Sequence, residues 1–223
     1  MAATLTTLIA RARQGLFDVG ATSWASTSSD ASLTEAIRQA LHEMSLSLPV
    51  LKVGTITLSS SLYDVDLSTL TGLIDVIDVH YPYSATAELE NCVGVWKLER
   101  RSTGNFLFMP LKSGYGVPSS GQIVRLWYGT FQTLNGLDSA AANTFPDDHE
   151  TPLLWGAMGY AATMKSIDLV ETSGYGTRPT DNARMEAWGF RQLMEFRAWL
   201  RIASAALAPR SNEDRWRLDK WDV

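Results

Sequence analysis

Apolar positions along the chain repeat with a helical period at both ends and with a two-residue period in the middle. Spacings of three and four residues place apolar side chains on one face of a helix, whereas alternation is typical of a half-buried strand. The helical pattern predicts helices over about 4–16, 32–48, 148–171 and 181–207. The segments between them predict a β-rich insertion over about 50–133. The predicted fold class is α+β, a helical bundle from N- and C-terminal helices with a central antiparallel β-rich insertion.

The second and third predicted helices carry boundary signals. Ser32 and Glu35 match a capping box, in which each side chain accepts a hydrogen bond from a free backbone N–H group of the first turn. Pro49 ends this helix, because the residue before a proline is disfavoured in the helical conformation. Pro152 fits only in a first turn, so the third helix is expected to begin between 147 and 151.

Six short segments of the insertion are bounded by Gly, Pro, Ser or Asn and predict strands. They are 55–58, 63–67, 73–81, 93–98, 106–109 and 122–128. The stretch from Arg100 to Asn105 predicts a hairpin tip between two of them. This spacing favours a small antiparallel sheet or sandwich of about five or six strands.

The last helix and the residues after it suggest contacts between molecules. Its apolar seam repeats by fours and threes, a pattern that suits packing against another helix, including one of another chain. The seam consists of Gly189, Leu193, Phe196, Leu200, Ala203 and Leu207. Residues 1–209 are interpreted as a single domain and 210–223 as a C-terminal docking arm, because tryptophan and arginine are typical interface anchors. That the arm instead folds back over its own core remains an alternative.

Composition narrows the class of protein. Of 223 residues, 45% are hydrophobic and 19% charged, which is typical of a globular chain. The net charge of −5 argues against a protein that coats phosphate backbones. A single cysteine, Cys92, rules out an internal disulfide framework and a cysteine-rich zinc site. No apolar run reaches the length of about 20 residues that a membrane span needs, and Arg11 and Arg13 interrupt any signal-peptide pattern. We expect a soluble protein assembled in a reducing compartment.

Candidate chemistry is sparse. The densest polar cluster is Asp147–Glu150, but acidic residues are ordinary in a first helical turn. His42 lacks the second histidine of a zinc-protease helix, and His80 lies in an apolar strand. The loop 114–121 lacks the Gly-Lys-Ser/Thr of a phosphate-binding loop. The sequence therefore predicts no catalytic, cofactor-binding or metal site, no cofactor and no enzyme activity.

The order of these parts resembles a known family. The segments that carry the resemblance are LTEAIRQALHEMSLSLP at 33–49, LIDVIDVHYP at 73–82, GQIVRLWY at 121–128 and FPDDHETPLLWGAMGYA at 145–161. In this order they resemble the head–tail adaptor (connector) proteins of tailed bacteriophages. The resemblance spans about 1–207.

The resemblance implies a structural virion protein that joins the portal vertex of the capsid to the tail and lines the DNA exit channel. Its implied partners are further copies of itself in a ring, usually of twelve, then the portal protein and a tail or nozzle protein. Double-stranded DNA would pass through the lumen without specific binding, which suits an acidic chain because like charges repel. No membrane is involved, and the implied location is the head–tail neck of the virion, after assembly in the host cytoplasm.

Mapped onto this chain, the resemblance assigns portal binding to the arm and tail contacts to two loops. The candidate portal-binding residues are Arg210, Arg215, Trp216, Arg217, Leu218 and Trp221. The candidate tail-contact residues are Arg100, Arg101, Asn105 and Tyr115.

Two alternatives stay open. One is a tail-completion or tail-terminator protein, which would form a ring of six on the tail tube rather than on the portal. The other is a virion-associated cell-wall hydrolase, in which Asp147, Asp148 and Glu150 would act as the acid and base.

Overall fold

The computed structural model describes residues 3–18, 29–59, 63–84, 93–110, 118–172 and 179–207. At 29–30, 168–172, 179–182 and 207 it describes the backbone only. The helices are α1 (Leu5–Gly15), α2 (Ser29–Ser47), α3 (Glu150–Thr172) and α4 (Pro179–Leu207), with a 3-10 turn at Asp147–His149. The strands are β1 (Val50–Thr57), β2 (Asp64–Asp66), β3 (Leu73–His80), β4 (Lys97–Arg101), β5 (Gly104–Phe108) and β6 (Ile123–Thr130). The predicted α+β class, with helices at both ends and strands between, is confirmed.

The chain divides into two compact units. The helical unit comprises Met1–Leu48 and Gln132–Val223, and the β unit comprises Pro49–Phe131. The β unit matches the insertion predicted over about 50–133 to within two residues. That residues 1–209 act as one domain stays a prediction.

The core of the helical unit is formed by apolar side chains from all four helices. Its fully buried members include Leu8, Ile37, Met44, Leu153 and Phe196. α1 begins at a capping box in which Thr4 and Thr7 satisfy each other's backbone N–H groups.

The capping box predicted for α2 is wrong, because the helix begins at Ser29, a turn earlier, and Ser32 lies inside it. Ser29 and Asp30 are also residue types favoured in a first turn, so the sequence offered two competing starts. Glu35, the other member of the predicted box, pairs instead with Arg38 one turn further along α2.

Helices α3 and α4 approach each other closely at three glycines, Gly156, Gly159 and Gly189. A Cβ atom built on Gly159 would lie 2.7 Å from Leu193 Cγ and 3.0 Å from the Gly189 carbonyl oxygen. A Cβ on Gly156 would lie 2.8 Å from the ring of Phe196. The absence of side chains at these positions allows the two backbones to pack in direct contact.

The β unit contains two three-stranded antiparallel sheets around a shared core. One has the order β1-β6-β3 and the other β2-β5-β4. In the first, Val50 pairs with Thr130 and Thr57 with Ile123. The core contains residues of both sheets, among them Leu107 and Leu126, each fully buried. The sequence predicts about five or six antiparallel strands, and the described residues form six, all paired antiparallel.

The predicted hairpin lies between β4 and β5. Arg101 pairs with Gly104, so Ser102 and Thr103 form a two-residue turn. The predicted strand at 93–98 is misplaced, since β4 begins only at Lys97. Val93 is buried by packing rather than strand pairing, and its N–H donates to the Val79 carbonyl oxygen.

Candidate interaction surfaces

The predicted portal-binding residues all lie outside the described part of the chain, which ends at Leu207. They are Arg210, Arg215, Trp216, Arg217, Leu218 and Trp221. Tyr115, predicted to contact the tail, and Cys92 also lie outside the described residues. The other three predicted tail-contact residues are described, and the structure brings them together on the β4–β5 hairpin.

These hairpin residues make contacts within the β unit. Arg101 donates to Asp64 at 2.8 Å and to Glu99 at 2.6 Å, and its guanidinium lies 4.8 Å from the centre of the Phe106 ring. Arg100 donates to the carbonyl oxygen of Ile74. The Asn105 carbonyl oxygen accepts from the Leu67 N–H.

The charges around Arg101 are paired within the β unit. Its hydrogen bonds, first to Asp64 and then to Glu99, raise the pKa of Arg101 above its usual range. Arg101 and then Lys97 lower the pKa of Glu99 by the same kind of contact. About 39% of the Arg101 side chain stays exposed. A partner could therefore contact only the part of the side chain that does not face Asp64 and Glu99.

The apolar seam of α4 packs against other helices of the same chain. Leu193, Phe196 and Leu200 are buried in the helical unit, and Gly189 lies against Ala162 of α3. The interpretation of this seam as part of an interface between subunits is wrong. The periodicity identified a packing face correctly, but its partners are α2 and α3 of the same chain.

A second apolar row lies on the opposite side of α4. Met194 and Ile202 are 71% and 73% exposed, and Phe190 is 52% exposed. Steps of four and eight residues place these side chains on one face of the helix. We call this set the α4 outer row. The sequence-based prediction did not include this row, although three large apolar residues at helical spacing are a signal for it.

Charged residues border the α4 outer row. Arg191, Glu195 and Arg201 are exposed on α4. An apolar centre with a charged rim is the usual arrangement of a protein–protein interface.

Three helices are tied together by a polar cluster of Glu43, Tyr160 and Arg197. Arg197 Nε donates to Glu43 Oε1 at 2.7 Å, and the Tyr160 hydroxyl donates to Glu43 Oε2. Burial and then the hydrogen bond to Glu43 raise the pKa of Tyr160. The cluster lies beside a groove of about 470 Å³ along α2 whose lining includes Arg38, His42 and Leu46.

Replacing Tyr160 with phenylalanine is expected to lower the free energy of unfolding by about 1 kcal/mol at neutral pH, because one hydrogen bond to a charged group is lost. The raised pKa of the folded state makes this contribution complete below the ordinary tyrosine value of about 10 and lost as pH rises through the Tyr160 pKa. Urea unfolding at pH 7 and above pH 10 measures it, with Tyr63→Phe at a more exposed position as the matched control. A difference between Tyr160→Phe and wild type that grows with pH would contradict this assignment.

The β unit presents a further surface on the sheet β1-β6-β3. Leu51 and Val53 are exposed on β1, and Val53 pairs with Trp127 across the strands. The Arg125 guanidinium lies 4.5 Å from the centre of the Trp127 ring and 5.0 Å from that of Tyr83. Tryptophan, tyrosine and arginine are the residues most typical of interface centres.

The acidic cluster before α3 is largely structural. Glu150 Oε1 accepts the Ala3 N–H at 2.8 Å, and Oε2 pairs with Arg11 at 2.9 Å. His149 packs edge-on against Trp199 with ring centres 4.9 Å apart. Asp147 and Asp148 are exposed in the 3-10 turn. Glu150 therefore fixes the start of α1 to the start of α3.

Among the described residues, no group of three or more His, Cys, Asp or Glu side chains is arranged to hold a metal ion. None of the described helices combines the length and apolar character needed to cross a membrane. A scan against protein-family models and a search of curated proteins gave no match to this chain.

Proposed function

We propose that this protein is the head–tail adaptor of a tailed bacteriophage, a subunit of a ring that joins the portal vertex to the tail and lines the DNA exit channel. The observation that carries the proposal is the α4 outer row, because α4 fills its own core with one face and leaves a second apolar face exposed. The order of helices, β-rich insertion and helices, on which the resemblance to this family rests, also supports it.

The α4 outer row suits contact between copies for an energetic reason. Exposed apolar side chains gain free energy when a partner removes them from water. A ring needs a head-to-tail contact between different surfaces of identical chains, and it closes when the rotation between neighbours divides a full turn. The proposal places the α4 outer row in that contact.

The remaining surfaces take the other roles of an adaptor. The arm at 210–223, with Trp216 and Trp221, binds the portal. The β unit faces the tail, through the hairpin at Arg100–Asn105, the residues around Tyr115 and the surface around Trp127. The net charge of −5 keeps the lumen from holding DNA, since acidic groups repel phosphate.

Assembly on the portal tests this function. We expect the purified chain to bind isolated portal rings as a discrete complex of about twelve copies, measured by native mass spectrometry and by electron microscopy of the neck. Met194→Glu combined with Phe190→Glu is expected to abolish this complex while leaving the circular dichroism and melting temperature unchanged. Leu51→Glu is the matched control, since Leu51 is 68% exposed but lies in the β unit.

Truncation after Pro209 separates the arm from the helical contacts. The truncated chain is expected to keep its melting temperature and to lose portal binding. Unfolding on truncation would instead indicate that the arm packs on its own core. If the chain instead forms a ring of six that binds tail tubes and does not bind portals, the protein is a tail terminator and the adaptor proposal is wrong.

A further inference from the structure

Strand β1 is an outer strand of its sheet, with β6 on one side only. Leu58, which follows β1, donates its N–H to the Gln122 carbonyl oxygen at 2.8 Å and accepts from the Gly121 N–H at 2.8 Å. Hydrogen-bonded positions alternate along an antiparallel pair, so every second residue of β1 turns its N–H and C=O groups away from β6. These residues are Leu51, Val53, Thr55 and Thr57. In the part of the chain that the structure describes, no backbone group is bonded to them on that side.

The other outer strands of the described β unit are protected against pairing with a further strand. β4 has four charged side chains among its five residues, and β2 is only three residues long. β3 accepts hydrogen bonds from outside its sheet, at Ile74 from Arg100 and at Val79 from the Val93 N–H. Charged side chains, short length and cover by other residues are the usual means by which proteins prevent pairing at a sheet edge.

β1 lacks each of these protections. It is eight residues long, contains no proline and has Lys52 as its single charged residue. Leu51 is 68% exposed and Val53 is 51% exposed. A long apolar edge with unpaired N–H and C=O groups binds an extended segment of another chain through main-chain hydrogen bonds. The chemistry of this edge therefore selects a strand as its partner, because the backbone groups inside a helix are already bonded to one another.

The side chains along β1 select the sequence of that strand. Successive side chains lie on opposite faces, so Leu51 and Val53 share one face of the sheet and Lys52 lies on the other. Residues side by side on neighbouring strands contact each other. Apolar residues fit beside Leu51 and Val53, and an acidic residue fits beside the exposed Lys52. The edge is complementary to a strand in which one acidic residue stands between two apolar residues.

We propose that β1 binds an extended segment of a tail-side protein as a further strand, with an acidic residue of the segment beside Lys52 and apolar residues beside Leu51 and Val53. A second copy does not fit through its own β1, because that strand contains no acidic residue. Two copies paired in this way would also form a closed two-fold dimer and not a ring. The inference rests on the proposed function and deepens it, by naming the kind of segment that the β unit binds.

A peptide of this pattern tests the edge on the full chain. The probe is the peptide TTIEVTT with acetylated and amidated ends, in which glutamate stands between isoleucine and valine. In the free chain, the amides of Leu51, Val53 and Thr55 are expected to exchange rapidly with deuterium, whereas those of Lys52 and Gly54, bonded to β6, exchange slowly. Saturating peptide is expected to slow exchange at the first group by about tenfold or more, measured by NMR, because it accepts hydrogen bonds from their outward N–H groups.

Reversing the charge at Lys52 tests the acidic position of the segment. Lys52→Glu is expected to weaken binding of TTIEVTT by about tenfold or more, because like charges placed side by side repel. The peptide TTIKVTT is expected to bind Lys52→Glu more tightly than it binds wild type. Lys97→Glu, which reverses an exposed charge on the other sheet, is the matched control and is expected to bind TTIEVTT like wild type.

Val53→Pro tests the site in assembled particles. The N–H that proline removes points away from β6, so the circular dichroism and melting temperature are expected to match wild type. This variant is expected to form the complex on the portal and to leave that complex unable to join tails, measured by electron microscopy of the neck. If Val53→Pro fails to fold, Val53→Lys takes its place, with Leu46→Lys at a similarly exposed position of the helical unit as its control.

Each remaining outcome decides the question. Unchanged exchange at Leu51 and Val53 with millimolar peptide overturns the site, and so does slow exchange in a free chain that has dimerised, because a second copy then covers β1. If complexes of Val53→Pro join tails like wild type, the strand site is wrong and the adaptor function stands. If the peptide binds β1 but wild type never binds portals, the strand site stands and the adaptor function fails.

Discussion

Replacing Gly159 with leucine is expected to lower the free energy of unfolding of the helical unit by about 3 kcal/mol or more. The new side chain would meet Leu193 Cγ within 2.7 Å of its first carbon and the Gly189 carbonyl oxygen within 3.0 Å. One of these neighbours is backbone, so no rotamer change can make room. The two helices would have to separate, and the core around Phe196 would lose contacts with them.

A sharper test is whether the smaller substitution Gly159→Ala raises or lowers the free energy of unfolding. At an open helix position, alanine stabilises by about 1 kcal/mol relative to glycine. Gly159→Ala is expected to destabilise nonetheless, by about 1 kcal/mol, because the close approach outweighs propensity. Gly15→Ala is the control, since its closest neighbour is the flexible thioether of Met158. Urea unfolding compares the three variants, and stabilisation by Gly159→Ala would show that α3 and α4 lie further apart than described.

Replacing Asp18 with alanine is expected to cost about 3 kcal/mol of stability. Asp18 is almost fully buried beside Arg13, and removing one partner of a buried ion pair typically costs about 3–5 kcal/mol. The lower end applies because Arg13 keeps a favourable position in the last turn of α1, near the negative end of the helix dipole. The turn that ends α1, in which the Asp18 N–H donates to the Arg13 carbonyl oxygen, would also lose its side-chain contact.

Thermal and urea unfolding of Asp18→Ala check this expectation against Asp148→Ala. The Asp148 side chain is 81% exposed, and its removal is expected to change stability by about 0.5 kcal/mol or less. Equal stability of the two variants would mean that solvent screens the Arg13–Asp18 pair.

Local pattern was sufficient to predict the elements of this fold. Periods of 3.6 and 2 residues located four helices and six strands, because each element buries one face. Boundaries depended on tertiary pairing. The strand expected to begin at Val93 begins at Lys97, since pairing of Arg101 with Gly104 sets the hairpin register. Helix α2 begins at Ser29 and not at the predicted Ser32, because several short polar residues in this stretch can begin a helix.

The candidate surfaces could be predicted only in part, because periodicity shows which side chains form a face and not what covers it. The seam around Leu193 and Phe196 was correctly predicted as a packing face, but it packs against helices of its own chain and not against another subunit. The exposure of Phe17 had no sequence signal, because this residue has a backbone φ of +55°, which a phenylalanine rarely adopts. The arm at 210–223 follows the last described residue, and its role rests on the family resemblance.

Hydrogen bonds connect the residues just before the insertion with the residue just after it. These bonds are relevant to the order of folding. Gln132 donates to the Leu48 carbonyl oxygen at 2.6 Å and to Ser45 Oγ at 2.9 Å, while Val50 pairs with Thr130 within the β unit. Helices α2 and α3 are distant in sequence, so bringing them together demands closure of a long loop. A β unit that folds first would bring its own termini side by side and remove most of that entropic barrier. We therefore expect the insertion to act as an internal nucleus that speeds folding of the helical unit.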